Sequence, residues 1–450
     1  MSRDAAPVEL PWRAGDHGGV LPPLARGLPG LGSLLGFLRD PVRHAAQQYL
    51  QYGPVFRLRL GPKTAVVLAG AEANRWIMYH GRQHLATEGI YDVVLDLMGG
   101  GSTGHPVNLD GAPHAALRKR LGRSMSRALL LQNIGQATEL AEREFARAAT
   151  SGVVDVVAMA KRLVYCQLGQ IMAGEAPMEL LDDYKIIVDA IINGVRFPIT
   201  RRLRRPSILR AAARVRAFHE RLLDGGERGN RYVDDVIRAV AEGQILRADA
   251  GTALLGPFIA GIDTLAHSLS FAIFALASRP ELQERLREQA DALFSGPAID
   301  AAALRQCAFL QAFSNEVLRC YPVSPGVIRY VSAPFELGGH QLRVDDDVIV
   351  VHAASHFLEA HFADAEVFDP ARFLGSTRDR ALGAYAPYGV GEHVCLGAAL
   401  ADLLQFLDVA VLVHRYRVSL QPSSYRLRVK WTPVAQPVGL QVRLQARGRG

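Results

Sequence analysis

Apolar residues recur at helical spacing through much of the stretch from 115 to 313, most clearly at 136–149, 157–172 and 210–223. The bulk of the chain is therefore expected to be α-helical. The period changes near both ends. Residues 53–68 alternate apolar and polar positions around a Gly61-Pro62 break, which predicts a two-stranded hairpin. After Tyr330, short β-like runs appear at 335–342 and 347–352, and again at 426–430 and 439–444. One long apolar run starts near Asp249, a candidate N-cap, and reaches about Ser278. Helical bulk flanked by small sheets predicts a mainly α fold of the α+β class, with no domain-scale linker. The expected organisation is a polar extension over 1–27 and a single domain over 28–450. Its β-rich parts lie at about 52–70, 330–352 and 424–446, and its α-rich part at about 110–320.

Composition narrows this picture. An apolar share of 49% in 450 residues is ample for a large core, and no internal repeat or low-complexity array appears. The first 28 residues are polar and rich in Pro and Gly, with no apolar run long enough to span a bilayer or act as a signal. A cytoplasmic chain without a transmembrane segment is expected. The four cysteines, Cys166, Cys307, Cys320 and Cys395, show no C-x-x-C spacing, which fits a reducing compartment and argues against structural zinc.

The net charge of +7 raises the question of nucleic acid, so its distribution matters. It gathers at Arg118-Lys119-Arg120-Leu121-Gly122-Arg123 and at Arg201-Arg202-Leu203-Arg204-Arg205. Neither cluster is interleaved with stacking aromatics or set in a groove-reading motif, so no nucleic-acid partner is expected. An acidic protein partner fits better, with plain solvated faces as the alternative.

Candidate chemistry begins at Tyr388-Gly389-Val390-Gly391-Glu392-His393-Val394-Cys395-Leu396-Gly397, a glycine-rich loop with one cysteine ahead of an apolar helical run. Such a loop lets backbone N–H groups approach a sulfur ligand, and a following helix N-terminus favours thiolate. A buried inert cysteine is the competing reading. Within the long apolar helix, Ala260-Gly261-Ile262-Asp263-Thr264 sets an acid beside a hydroxyl. Thr264 can bond the Ala260 carbonyl and loosen the helical ladder, and Gly261 leaves room in the opened groove. Pro257, just upstream, predicts a kink. Glu316 and Arg319 stand at i, i+3, able to pair, ahead of Phe368-Asp369-Pro370-Ala371-Arg372-Phe373 downstream. His114 and Arg118 stand at i, i+4 on one face of a helix that starts after Asp110.

These five elements, in this order, resemble the signature set of the cytochrome P-450 superfamily over nearly the whole chain from about residue 28. The cysteine loop is similar to F-x-x-G-x-R-x-C-x-G, with Tyr388 replacing Phe and His393 replacing Arg. Ala260 to Thr264 is similar to A-G-x-D/E-T, and Glu316, Arg319 and Arg372 to the E-x-x-R and P-x-R-F elements. The resemblance implies a triangular prism with haem b between the long central helix and the helix after Cys395. It implies Cys395 as iron ligand and Asp263 with Thr264 as the proton-delivering pair. Ala260, Gly261, Tyr388 and Gly397 would line the cofactor, while His114, Arg118, Arg329 and His393 would hold its propionates. Glu316, Arg319 and Arg372 would support the ligand loop.

The activity so implied is a haem-thiolate monooxygenase that inserts one atom of O2 into a lipophilic small molecule of terpenoid, steroid, fatty acyl or polyketide type. No flavin or NAD fingerprint is present, so electrons would come from a separate ferredoxin or flavodoxin with its reductase, and the basic 118–123 cluster would receive it. The enzyme is expected to act as a monomer. A peroxygenase or isomerase on the same fold, and a haem-binding sensor, are the alternatives. The resemblance places the substrate pocket at the loop 89–105, residues 188–208, Phe258, Val323, Val327 and a C-terminal turn at Val434. The flexible run Gly99-Gly100-Gly101 suggests a mobile lid.

Overall fold

The expected hairpin is present as β1 (Val55–Leu60) and β2 (Lys63–Ala69), antiparallel with Leu60 opposite Lys63. The structure is a computed structural model that describes residues 20–90, 105–196, 205–229, 231–296, 299–375, 381–431 and 434–448. Two helices, α1 (Pro41–Tyr52) and α2 (Gly70–His84), bracket the hairpin, and β3 (Leu85–Ala86) follows. The helical bulk then runs as α3 (Gly111–Leu121), α4 (Ile134–Ala149), α5 (Val156–Ala173), α6 (Leu181–Arg196), α7 (Pro206–Asp224) and α8 (Tyr232–Ala241). A short strand, β4 (Val154–Asp155), precedes α5. Next come α9 (Ala250–Ala277), α10 (Pro280–Ser295) and α11 (Ala308–Cys320).

The second β region comprises β5 (Val327–Val331), β6 (Phe335–Leu337), β7 (His340–Leu342) and β8 (Asp347–Val351). The last helix, α12 (Ala398–Arg415), leads into β9 (Tyr416–Leu420), β10 (Val429–Lys430), β11 (Gln436–Pro437) and β12 (Gln441–Ala446). The main sheet has the order β1-β2-β8-β5-β3, and only β2 and β8 pair in parallel. Thus the two ends of the α-rich region are joined by one sheet. Sequence alternation overestimated the strand at 426–430, which shrinks to Val429–Lys430 opposite Gln436–Pro437. Two residues give too short a ladder to impose a longer pattern.

Helix α9 is the axis of the molecule. Every residue from Ala250 to Phe258 is buried, and the helix packs against α5 and α12 in one cluster that also takes residues from α4 and α11. By length and composition α9 with the turn before it could cross a membrane, but it is the central core helix. Such all-round apolarity marks a helix buried on every side. Pro257 does not end it. The carbonyl of Ala253, which Pro257 cannot serve with an N–H, accepts a hydrogen bond from the Tyr232 hydroxyl at 3.1 Å. The helix runs without interruption from Ala250 to Ala277.

Candidate functional site

Within α9 the burial pattern changes at one step. Ile259, Ala260, Gly261, Thr264 and Leu265 are partly or fully uncovered, although the residues around them are buried. Thr264 Oγ1 donates to the Ala260 carbonyl at 2.5 Å, so the hydroxyl lies back along its own helix. A Cβ at Gly261 would sit 2.9 Å from Leu168 Cδ1. A side chain at 261 would therefore press on Leu168 of α5, so glycine eases the approach of the two helices as well as leaving the groove open. Phe258 stands about 200° around the helix from Ala260. It is 3% exposed and stacks on Tyr184 at 4.6 Å between ring centroids. That corrects its expected place in the pocket: it faces the core beneath α6.

Asp263 is buried and its Oδ1 lies 2.7 Å from the Lys161 ammonium on α5. Sequence reasoning missed Lys161, because a lysine in a helix ordinarily signals solvent. Asp189 on α6 and Lys430 on β10 also act on this group of charges, and burial, a larger effect than any of these charges, raises the Asp189 pKa.

The cysteine loop is a second uncovered interior stretch. Cys395 is exposed and residues 391–394 and 396–399 are partly so, whereas α12 is buried from Leu403 to Val413. Cys395 N–H donates to the Tyr388 carbonyl at 2.9 Å, closing the loop. Gly391 has a φ of 80°, and a Cβ there would lie 3.1 Å from the Ile77 carbonyl oxygen, so only glycine lets the loop pass α2 so closely. Helix α12 begins at Ala398, with Gly397 at its N-cap. Desolvation raises the Cys395 thiol pKa, and the Gly397 N–H and the Arg118 guanidinium oppose this without reversing it. The Gly397 N–H acts in the direction expected of a helix N-terminus, against the larger effect of burial.

Tyr388 stands where the related pattern has Phe, and its hydroxyl donates to Asp402 Oδ1 at 2.5 Å. The partner lies on the first turns of α12. Leu396 also lies beside Gly122, the residue that ends α3, since a Cβ there would come within 3.1 Å of its side chain. The basic 118–123 segment therefore lies against the cysteine loop. Lys119 and Arg123 are exposed there, whereas Arg120 is drawn into an ion pair with Glu242. The second basic cluster lies outside the described residues except for Arg205, as do Gly99 to Gly101 and most of the loop 89–105.

The expected cations converge, with acids among them. His114 and His393 rings lie 4.2 Å apart. His393 Nε2 is 2.8 Å from Asp110 Oδ1, and His114 Nδ1 is 3.2 Å from Glu392 Oε1. That second pair is close but misaligned, so both atoms lack a hydrogen bond. Arg82 approaches the same Glu392 oxygen at 3.5 Å. Arg329, 8% exposed, lines one cleft with Arg82, Val327, His352, Glu392 and His393. Asp110, Arg82 and Glu392 were not foreseen, and His393 is engaged with a carboxylate of this chain.

Glu316 and Arg319 are fully buried and joined by two parallel bonds of 2.8 Å. Arg319 also donates to the carbonyls of His356, Ala365 and Val367, while Arg372 Nε reaches Glu316 Oε1 at 3.1 Å. The guanidinium and carboxylate thus form a fork-to-fork pair whose remaining donors and acceptors are met by backbone carbonyls and Arg372. Val323 and Val434 are half-buried, and the Val323 carbonyl accepts from Ala435 N–H, so these two expected pocket positions share one junction.

These residues fit a haem. An uncovered cysteine with a backbone N–H on its sulfur, an uncovered helix step at Ala260 to Thr264, and a group of cations made of buried His114 and Arg329 with half-buried Arg118 and His393 would supply ligand, distal wall and propionate donors.

The comparisons agree with this geometry. The family model described as Cytochrome P450 matches residues 22–441. The chain is similar to cyclooctat-9-en-7-ol 5-monooxygenase of Streptomyces melanosporofaciens, 26% identical over 94% of this chain and 93% of the relative. It is also similar to pentalenene oxygenase of Streptomyces avermitilis, 24% identical over 94% and 97%. The solved structure of retinoic acid bound cyanobacterial CYP120A1 superposes with a TM-score of 0.80 at 23% identity, over 95% of this chain and 99% of that one. The chain belongs to the cytochrome P450 family, whose members are haem-iron monooxygenases.

Proposed function

We propose that this chain is a haem b monooxygenase that oxygenates a lipophilic terpenoid, with Cys395 as the iron ligand. The observation that carries this reading is the presence, within one core, of an uncovered cysteine loop and an uncovered Ala260 to Thr264 step. The haem, when bound, would supply the site at which O2 is activated. The substrates named for the two Streptomyces relatives, cyclooctat-9-en-7-ol and pentalenene, support the substrate class.

The roles of the residues follow from their surroundings. Thr264 presents a hydroxyl in the groove and Asp263 is the adjacent acid that can replenish its proton, with Lys161 holding that acid in reserve. Arg118, Arg329, His114 and His393 would bind the propionates, the two histidines in competition with Glu392 and Asp110. Glu316, Arg319 and Arg372 keep the meander under the ligand loop fixed. Val323, Val327 and Val434 would contact substrate. Electrons would come from a separate ferredoxin or flavodoxin with its reductase, docking at Lys119 and Arg123 beside the cysteine loop.

The test is titration of the ferric protein with lipophilic terpenoids, followed by turnover with a surrogate ferredoxin and reductase. A substrate-dependent spin shift with an oxygenated product is expected. Spectral binding without product under full reduction would support the sensor alternative and defeat this reading.

A further inference from the structure

His267 stands four residues after Asp263 and three after Thr264, so on the surface of α9 it is the helical neighbour of both. It also shares a stripe with Ala260, seven residues back. The side chain is 2% exposed, yet neither ring nitrogen makes a hydrogen bond; the Ala435 carbonyl is near but outside hydrogen-bond geometry. Buried polar groups without partners are rare and call for an explanation. The charged groups acting on His267 are Asp263 and Lys161, which hold each other at 2.7 Å, and Lys430 from β10; Asp189 on α6 faces the same pair. Burial, with smaller effects of Lys161 and Lys430, brings the His267 pKa down to about 4 against the pull of Asp263. At neutral pH the ring is therefore uncharged, with one N–H to give.

We propose that His267 is a positioning residue for Asp263, offering the carboxylate a second resting place beside Thr264 when it leaves Lys161. The inference rests on the monooxygenase reading of the same site. Opposite the Lys161 ammonium the carboxylate is paired with a countercharge and turned toward α5. Opposite a neutral imidazole N–H it keeps one hydrogen bond but loses the countercharge, so it can take up a proton. That proton comes from solvent at the partly exposed Lys161 end and passes to the Thr264 side, which regenerates the carboxylate. His267 keeps its own N–H throughout. Ordinary exchange of partners between two donors on neighbouring helices thus becomes a gate.

The test uses the holoenzyme in its diamagnetic reduced carbon-monoxide form, labelled with 15N-histidine, with the His267 signal assigned by its loss in His267→Gln. In Lys161→Met the carboxylate should settle on His267, raising the titration midpoint of the ring by about one unit or more. In the Asp263→Asn background the same Lys161→Met change should raise it far less, since only the loss of a nearby cation remains. Equal rises in both backgrounds, or no rise in either, would overturn the inference. His267→Gln, which keeps an N–H, should retain the pH profile of product formed per electron, and His267→Leu should shift it; identical profiles would also overturn it. Failure to form a thiolate-type carbon-monoxide complex would instead overturn the reading of the site and the inference with it.

Discussion

The Tyr232 hydroxyl donates to the Ala253 carbonyl at 3.1 Å, standing in for the N–H that Pro257 lacks. Removing a partner from a buried carbonyl costs about 1–3 kcal/mol. Tyr232→Phe should therefore lower unfolding stability by an amount in that range. In a Pro257→Ala background, where residue 257 regains its N–H, the same change should cost markedly less. Urea denaturation of the four proteins checks this, and additive costs would show that the hydroxyl has no compensating role.

Glu316 and Arg319 are each 0% exposed and leave no lone partner. Breaking a buried pair by removing one member costs about 3–5 kcal/mol. Glu316→Gln and Arg319→Met should give little folded protein, with thermal midpoints well below that of the parent chain. Arg319→Lys should also fail, because one ammonium cannot replace the fork that reaches His356, Ala365 and Val367.

Asp408 on α12 is 1% exposed, and Gln167 Nε2 donates to it at 2.7 Å. Burial pushes its pKa up to about 7 despite that bond. A carboxyl with a raised folded pKa binds its proton more tightly when folded. Its contribution is therefore fully present below the unfolded value near 4 and is lost as pH rises to about 7, by up to about 4 kcal/mol. Asp408→Asn should be more stable than the parent at pH 8 and show little or no gain at pH 4. Chemical denaturation at the two pH values measures the difference.

Asp110 behaves in the opposite sense. Burial works to raise its pKa, but the His393 ring and the N–H groups of Thr87 and Glu88 hold it down at about 2. Its contribution is present above the unfolded value near 4 and disappears as pH falls toward 2. Asp110→Asn should cost about 2 kcal/mol at pH 6, and the deficit should shrink as pH falls from 4 toward 2.

The contrast between Thr264 and Asp263 shows what could be read from sequence. The Thr264 bond to Ala260 spans one helical turn, so spacing alone foretells it. The Asp263 bond to Lys161 joins two helices far apart in the chain, and no local pattern distinguishes that lysine from a solvated one. Long-range pairing likewise hid Asp110 from His393. Phe258 was a different kind of miss: its angle from Ala260 on the helix was available, but large apolar residues near a pocket motif invite assignment to the pocket. The helical bulk and the main hairpin were legible because their periodicities persist over many residues, whereas the two-residue strands of the C-terminal region carry no period.

The central claim, that Cys395 is an iron ligand in a haem site, is tested most directly by the reduced carbon-monoxide difference spectrum of the haem-loaded protein and of Cys395→Ala. The red-shifted Soret band of thiolate ligation is expected in the parent, retained when Cys166, Cys307 and Cys320 are replaced, and lost in Cys395→Ala. The same band surviving in Cys395→Ala, or absent from a parent chain that has bound haem, would contradict it.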